Sequence, residues 1–259
     1  MITRNELKYY SSLSQKKFRE SELKFLVEGL KNVTEGLNSH FSCEIILTTF
    51  EFAEQHKSLL KEANRKKIRI ETIRSQDFIR ISETKSPQGI AAVFKYAKLN
   101  FYPDKTESKI LVYLDNISDP GNLGTIIRTC DWFGINEILI SKNSVDYLNP
   151  KAIRASMGSI FHIYIFEELD SEVLADLQSK NFKVICSDLD GKNLFEFKFP
   201  EKFVLVFSNE AAGPSDSVKK IADDILTIPK FGNAESLNVA IASGIILSRA
   251  LSIQATHFI

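Results

Sequence analysis

The chain predicts an α/β protein: a mainly parallel sheet with helices on both faces, preceded by a small α/β domain. Three observations predict it. Short apolar runs of strand length alternate with segments whose apolar residues recur at helical spacing. Two of the runs, Ile110-Leu111-Val112-Tyr113-Leu114 and Phe203-Val204-Leu205-Val206-Phe207, are apolar at every position, as in strands covered on both faces. Each of the two gives way to a polar loop and then a helical pattern, the order of a β-α unit.

In chain order, residues 5–21 read as two short helices, 25–27 as a strand and 30–38 as a helix. Strand 43–49, helix 51–63, strand 66–73, short helix 76–81 and strand 89–94 follow. This alternation makes a domain over residues 1–97, close to the usual domain size. Residues 98–108 hold Pro103 and few apolar side chains, and read as a linker. The second domain, 109–259, opens with strand 110–114, then a helix from 123, strand 137–140 and helix 150–157. It continues through strand 161–166, helix 172–179, strand 182–186, strand 203–207, helix 216–222 and strand 225–228. A long helix over 237–253 ends it.

The composition narrows the function classes. No apolar stretch is long enough to span a membrane, and Met1-Ile2-Thr3-Arg4-Asn5 lacks the apolar core of a signal peptide, so a cytoplasmic protein is expected. Cys43, Cys130 and Cys186 lie far apart inside predicted elements and read as buried thiols of a reducing compartment. His40, His56, His162 and His257 show no ligand spacing, so no metal is assigned. Net charge is zero but unevenly spread. Residues 1–110 hold 20 Lys and Arg against 14 Asp and Glu, and residues 111–259 hold 13 against 19. A basic front half suits a polyanionic partner. Lys16, Lys17 and Arg19, and the dense run at Arg65, Lys66 and Lys67, are its candidate phosphate contacts, although solvated turns account for them equally.

Three stretches carry candidate chemistry. In Asp119-Pro120-Gly121-Asn122, proline and glycine stop the first strand and Asn122 is placed to cap the next helix. At about 100° per residue, Leu123, Ile126, Ile127, Cys130 and Phe133 share one face of that helix, with Arg128 and Trp132 nearly opposite. The second stretch, Ser208-Asn209-Glu210-Ala211-Ala212-Gly213, puts an ionisable glutamate and small residues at the carboxyl end of a buried strand. In the third, Ile228 ends a strand and Ser236-Leu237-Asn238 opens the last helix, with Ser236 as its cap. Taken singly, each is equally an ordinary cap or turn. In open parallel sheets, however, ligands bind at such strand-to-helix edges.

Together, Asn122-x5-Arg128, Asn209-Glu210 and Ser236-Leu237-Asn238 resemble, in order and separation, the three motifs of the SpoU (TrmH-like) RNA ribose 2′-O-methyltransferases of the SPOUT superfamily. The resemblance spans roughly residues 110–253. Through Phe25-Leu26-Val27-Glu28-Gly29 and Gln88-Gly89-Ile90, the front domain is similar to that family's accessory RNA-binding domain. What the resemblance implies is methyl transfer from S-adenosylmethionine to RNA, ribosomal RNA before transfer RNA, by a homodimer whose carboxyl-terminal segment forms a trefoil knot. It implies catalytic roles for Asn122, Arg128, Glu210, Ser236 and Asn238, and cofactor contacts at Ser208, Asn209, Gly213, Ile228 and Leu237. Where the family reads Gly-Asn-Glu-Gly this chain has Ser208-Asn209-Glu210-Ala211, and a positive φ at either end would strain it. A catalytically silent RNA-binding protein on the same scaffold is the alternative of another class. A Rossmann-type nucleotide enzyme lacks its glycine fingerprint here.

Overall fold

The computed structural model describes residues 2–209 and 212–255, with side chains as far as 252. Its residues form two compact units, one of residues 1–97 and 146–161, the other of 98–145 and 162–259.

In the first unit the elements are α1 (Arg4–Ser12), α2 (Lys16–Glu22), β1 (Lys24–Glu28), α3 (Leu30–Leu37), β2 (Ser42–Thr49), α4 (Phe50–Gln55), α5 (Lys57–Arg65), β3 (Arg69–Ile73), α6 (Ser75–Ile81) and β4 (Ile90–Lys95). The sheet order is β1-β4-β2-β3, antiparallel except for the β2–β3 pair. One face of the sheet packs Leu26, Ile45, Leu47, Ile73 and Val93 against Leu7, Tyr10 and Leu13 of the first helical segment. The expected helix 51–63 is broken at His56, whose backbone leaves the helical region and whose ring stacks on Phe52. The expected strand 66–73 starts only at Arg69. Lys66 caps α5 and Lys67, at φ +59°, turns the chain out of the helix in the left-handed conformation that commonly ends one.

Arg19 is a correction to the candidate RNA contacts. It is 2% exposed, and its guanidinium donates to the Asp146 carboxylate and to the carbonyls of Leu13 (2.9 Å) and Ser14. A charge placed there is kept by its partners and does not reach a phosphate. The remaining candidates, Lys16, Lys17, Arg65, Lys66 and Lys67, are exposed.

The second unit contains β5 (Ile110–Asp115), α7 (Pro120–Trp132) and β6 (Glu137–Ser141); α8 (Pro150–Ser156), next in the chain, belongs to the first unit. The strand expected over 161–166 is β7 (Tyr164–Leu169), because Phe161 ends a short 3-10 turn and its ring packs with Phe94 and Phe41 in the first unit. Then come α9 (Glu172–Ser179), β8 (Lys183–Asn193), β9 (Phe203–Ser208), α10 (Asp216–Ile221), β10 (Asp224–Thr227) and α11 (Val239–Ala255). All pairings in the six-stranded sheet β10-β8-β9-β5-β6-β7 are parallel. A parallel sheet needs cover on both faces, and the strands meet that need: β5 and β9 are buried at every position.

Two helix starts differ from the sequence reading. α7 begins at Pro120, with Asp119 as its cap accepting from the Asn122 amide at 2.9 Å. Proline suits the first helical position, where its fixed φ is right and its missing N–H is not needed, so it starts the helix and Asn122 is freed from capping. α11 is capped by Asn238, whose Oδ1 accepts from the amides of Ala240 and Ile241 at 3.0 and 3.3 Å, and not by Ser236.

Candidate functional site

The chain returns to one edge of the large sheet three times. β5 and β9 lie side by side, so Asp115 and Ser208 are register partners at the ends of both strands. Asp115 is buried, and a buried carboxylate needs donors. It receives them from the Ser215 amide at 2.8 Å and the Asn116 side chain at 3.0 Å. Asn116 adopts φ +56°, a conformation asparagine tolerates better than most residues, and turns the chain away from the strand. Asn209 then ties the loops after β5 and β9 together, its Nδ2 donating to Ser118 Oγ at 3.0 Å and to the Asn116 carbonyl at 3.3 Å.

Beside this junction is a cavity of about 290 Å³. Its walls are the middle of β8 (Ser187, Asp188, Leu189), where that strand bulges between its two stretches of pairing with β10, and the carboxyl ends of β9 (Phe207, Ser208, Asn209) and β10 (Thr227, Ile228), with Gly213 and the loop leading into α11. The Thr227 hydroxyl donates to the Leu189 carbonyl at 2.8 Å, which ties the β8 bulge to the end of β10. Ser208, Asn209, Gly213, Ile228, Ser236 and Leu237 from the sequence reading all line this one cavity. Ser208 is buried within its strand and not among the residues with positive φ, so serine in place of glycine causes no backbone strain there. Glu210 and Ala211 lie outside the described residues.

Asn122 and Asn238 are not in the lining but meet beside it: Asn238 Nδ2 donates to Asn122 Oδ1 at 3.0 Å. The bond joins the first turn of α7 to the cap of α11. Arg128 is exposed on the outer side of α7, two turns from its start, and is not a wall of the cavity. Among the described residues its guanidinium has no hydrogen-bond or ion-pair partner.

The sequence reading missed the β8 wall. No motif marks Ser187-Asp188-Leu189, and the strand was expected to stop at 186. The available signal was positional, since neighbouring parallel strands present their carboxyl ends to the same crevice. Asp115 was missed too, because its donors come from Asn116 and from Ser215, a hundred residues away.

The lining suits a ligand with one apolar plate and polar ends. Leu189, Phe207, Ile228, Pro229 and Leu237 provide apolar surface, while Asp188, Ser208, Ser236 and loop backbone provide polar groups. Gly213, at φ +66°, leaves backbone bare where a side chain would stand close to Asp188. An adenosine-bearing cofactor fits this donor set and this size, which is at the lower end of small-molecule sites. No cysteine is among the residues that line the cavity, and burial pushes the thiol of Cys186, on the strand that forms one wall, up to about 12. Among the described residues no group of three His, Cys, Asp or Glu side chains is arranged to hold a metal.

Residues 109–248 match the model of the SpoU rRNA Methylase family, and residues 4–92 that of the MRM3-like substrate binding domain. The chain is 32% identical over 249 residues to the 23S rRNA (guanosine(2553)-2′-O)-methyltransferase RlmP of Bacillus subtilis, an alignment covering 93% of this chain and 94% of that one. Among solved structures it is similar to one described as an RNA methyltransferase of the TrmH family from Porphyromonas gingivalis. That likeness has 33% identity and a TM-score of 0.86, over 98% of this chain and 99% of the other. It is also similar to an AdoMet-bound rRNA methyltransferase from Sinorhizobium meliloti, at 28% identity and a TM-score of 0.84, over 96% and 95%.

Proposed function

The chain belongs to the SpoU rRNA methylase family, and from that membership we propose that it transfers a methyl group from S-adenosylmethionine to a ribose 2′-hydroxyl of ribosomal RNA. The observation that carries this reading is the cavity that segments distant in sequence close together at the middle of β8 and the ends of β9 and β10, next to the Asn122–Asn238 bond.

When bound, S-adenosylmethionine supplies an electrophilic methyl on a sulfonium. The chain's residues do the rest. Ser208, Asn209, Gly213, Ile228 and Leu237 hold the cofactor by backbone groups and apolar contact. Holding the methyl in line with a weakly acidic hydroxyl converts an encounter into an oriented step, the largest contribution a rigid site can make. Arg128 is not a base, since its guanidinium stays protonated in proteins. It grips the phosphate beside the target ribose through parallel N–H donors and lowers the cost of negative charge on the 2′-oxygen as its proton passes to solvent water. Asn122 and Asn238, with Ser236 and Glu210, orient ribose and cofactor.

Residues 1–97 bind RNA in this reading, 98–108 link, and 109–259 carry out the transfer. Ribosomal RNA is favoured over transfer RNA because RlmP is named for 23S rRNA and because the chain is also similar, at 31% identity over 183 residues, to a mitochondrial rRNA methyltransferase of Xenopus tropicalis. The enzyme is cytoplasmic and its carboxyl-terminal segment follows the family's trefoil knot. It works as a homodimer: the outer face of α11, with Ile241 57% exposed beside Gly244, Ile245 and Phe195, presents apolar surface to a second copy.

Calorimetric titration with S-adenosylmethionine tests the cofactor site, and mapping of ribose methylation in RNA from cells with and without the protein tests the reaction. Saturable binding and one methylated ribose lost in the deletion are expected. An undetectable heat of binding together with an unchanged methylation map favours the silent RNA-binding module.

A further inference from the structure

We propose that Trp132 is an RNA contact, a platform on which a base of the nucleotide at or next to the target ribose stacks. The proposal rests on the methyltransferase reading and extends it to the outer face of α7. An indole has more apolar area to bury than any other side chain, yet Trp132 is 84% exposed. It ends α7 beside an open turn, where a Cβ on Gly134 would meet nothing within 4 Å.

Its surroundings identify the occupant. Trp132 follows Arg128 by four residues, so the two side chains share one face with their Cβ atoms about 5–6 Å apart. Thr125 continues the same exposed stripe. A cation and one flat ring in line match a nucleotide strand: phosphate on Arg128, base on Trp132. Stacked nucleotides advance about 3.4 Å each, so a strand whose phosphate sits on Arg128 brings the same or the next base over the indole. Unpaired bases are characteristically read by stacking on aromatic side chains. A second copy of the chain is the poorer occupant, because the stripe holds one isolated ring among polar groups, whereas the contiguous apolar face is on α11.

Trp132 is the chain's only tryptophan, so its fluorescence reports this position alone. The full-length protein is titrated with a short mixed-sequence single-stranded RNA, with the matched duplex as control. Saturable quenching by the single strand is expected, with weaker quenching by the duplex. Trp132→Ala is expected to weaken RNA binding by about five- to a hundred-fold, appearing as a raised KM for RNA with kcat for bound RNA far less changed. Trp132→Phe restores most of the affinity, and S-adenosylmethionine binding is the same in all three proteins. Equal RNA affinity in wild type and Trp132→Ala overturns the proposal while leaving methyl transfer intact. So does emission that follows protein concentration and ignores RNA, which assigns the ring to self-association. A wild-type protein that binds no RNA and transfers no methyl removes the underlying reading and this inference with it.

Discussion

The Asn238 side chain uses its oxygen to cap α11 and its nitrogen to hold Asn122, and the two uses separate by substitution. Serine also caps a helix but is too short to span the gap to Asn122. Asn238→Ser is therefore expected to keep thermal stability near that of the parent and lose most methyl transfer. Asn238→Ala loses the cap as well, a further cost of about 1 kcal/mol in stability. Full activity in the serine variant would show that the asparagine pair is only a cap. For Arg128, replacement by alanine is expected to lower kcat on the order of a hundred-fold or more, the range seen when one charge-stabilising donor is removed. Calorimetry should find cofactor affinity unchanged, because Arg128 is not a wall of the cavity. Loss of cofactor binding in step with activity would make Arg128 structural. Arg128→Lys should not rescue, since an ammonium cannot reproduce a forked pair of donors.

Among the elements, α7 shows what the sequence discloses and what it hides. Its buried face of Leu123, Ile126, Ile127 and Cys130, with Arg128 and Trp132 turned outward, follows from helical spacing alone. Its first residue does not, because Asp119 and Asn122 are both good caps and only the fit of Pro120 into the first turn decides between them. The unbroken apolar runs of β5 and β9, up to Leu114 and Phe207, are legible as strands covered on both faces, whereas the length of β8 is not: past Cys186 it leaves its pairing with β10 and resumes it only at Lys192 and Asn193. Arg19 on α2 is the clearest case of hidden information. Nothing near it in sequence foretells burial, since its partner Asp146 lies 127 residues on. Arg19→Met is expected to destabilise the fold by about 3–5 kcal/mol by stranding a buried carboxylate. Adding Asp146→Leu should recover most of that loss in a urea melt. A single variant as stable as the parent would mean that the pair is solvated.

Across the whole molecule, charge and chemistry are segregated along the chain. The half with the cavity carries the acidic excess, so RNA approaching it is repelled on average, and the basic half must supply the long-range attraction. The run after α5 is the natural test. Arg65 and Lys67 are exposed, while Lys66 is partly committed, its ammonium donating to the Leu37 carbonyl at 2.8 Å and lying 3.5 Å from Glu62. Reversing all three to glutamate should leave the melting temperature nearly unchanged, because exposed pairs of this kind contribute little stability. RNA affinity should fall, and the slope of log affinity against log salt should flatten by roughly 0.7 for each single-strand phosphate that the variant no longer neutralises. Arg65 and Lys67 should account for most of the change and Lys66 for least. At high salt parent and variant should converge, since only the screened part of the attraction has been altered. An unchanged slope at low salt would place the RNA path elsewhere on the front domain, and the exposed Lys16 and Lys17 of α2 would be the next residues to reverse.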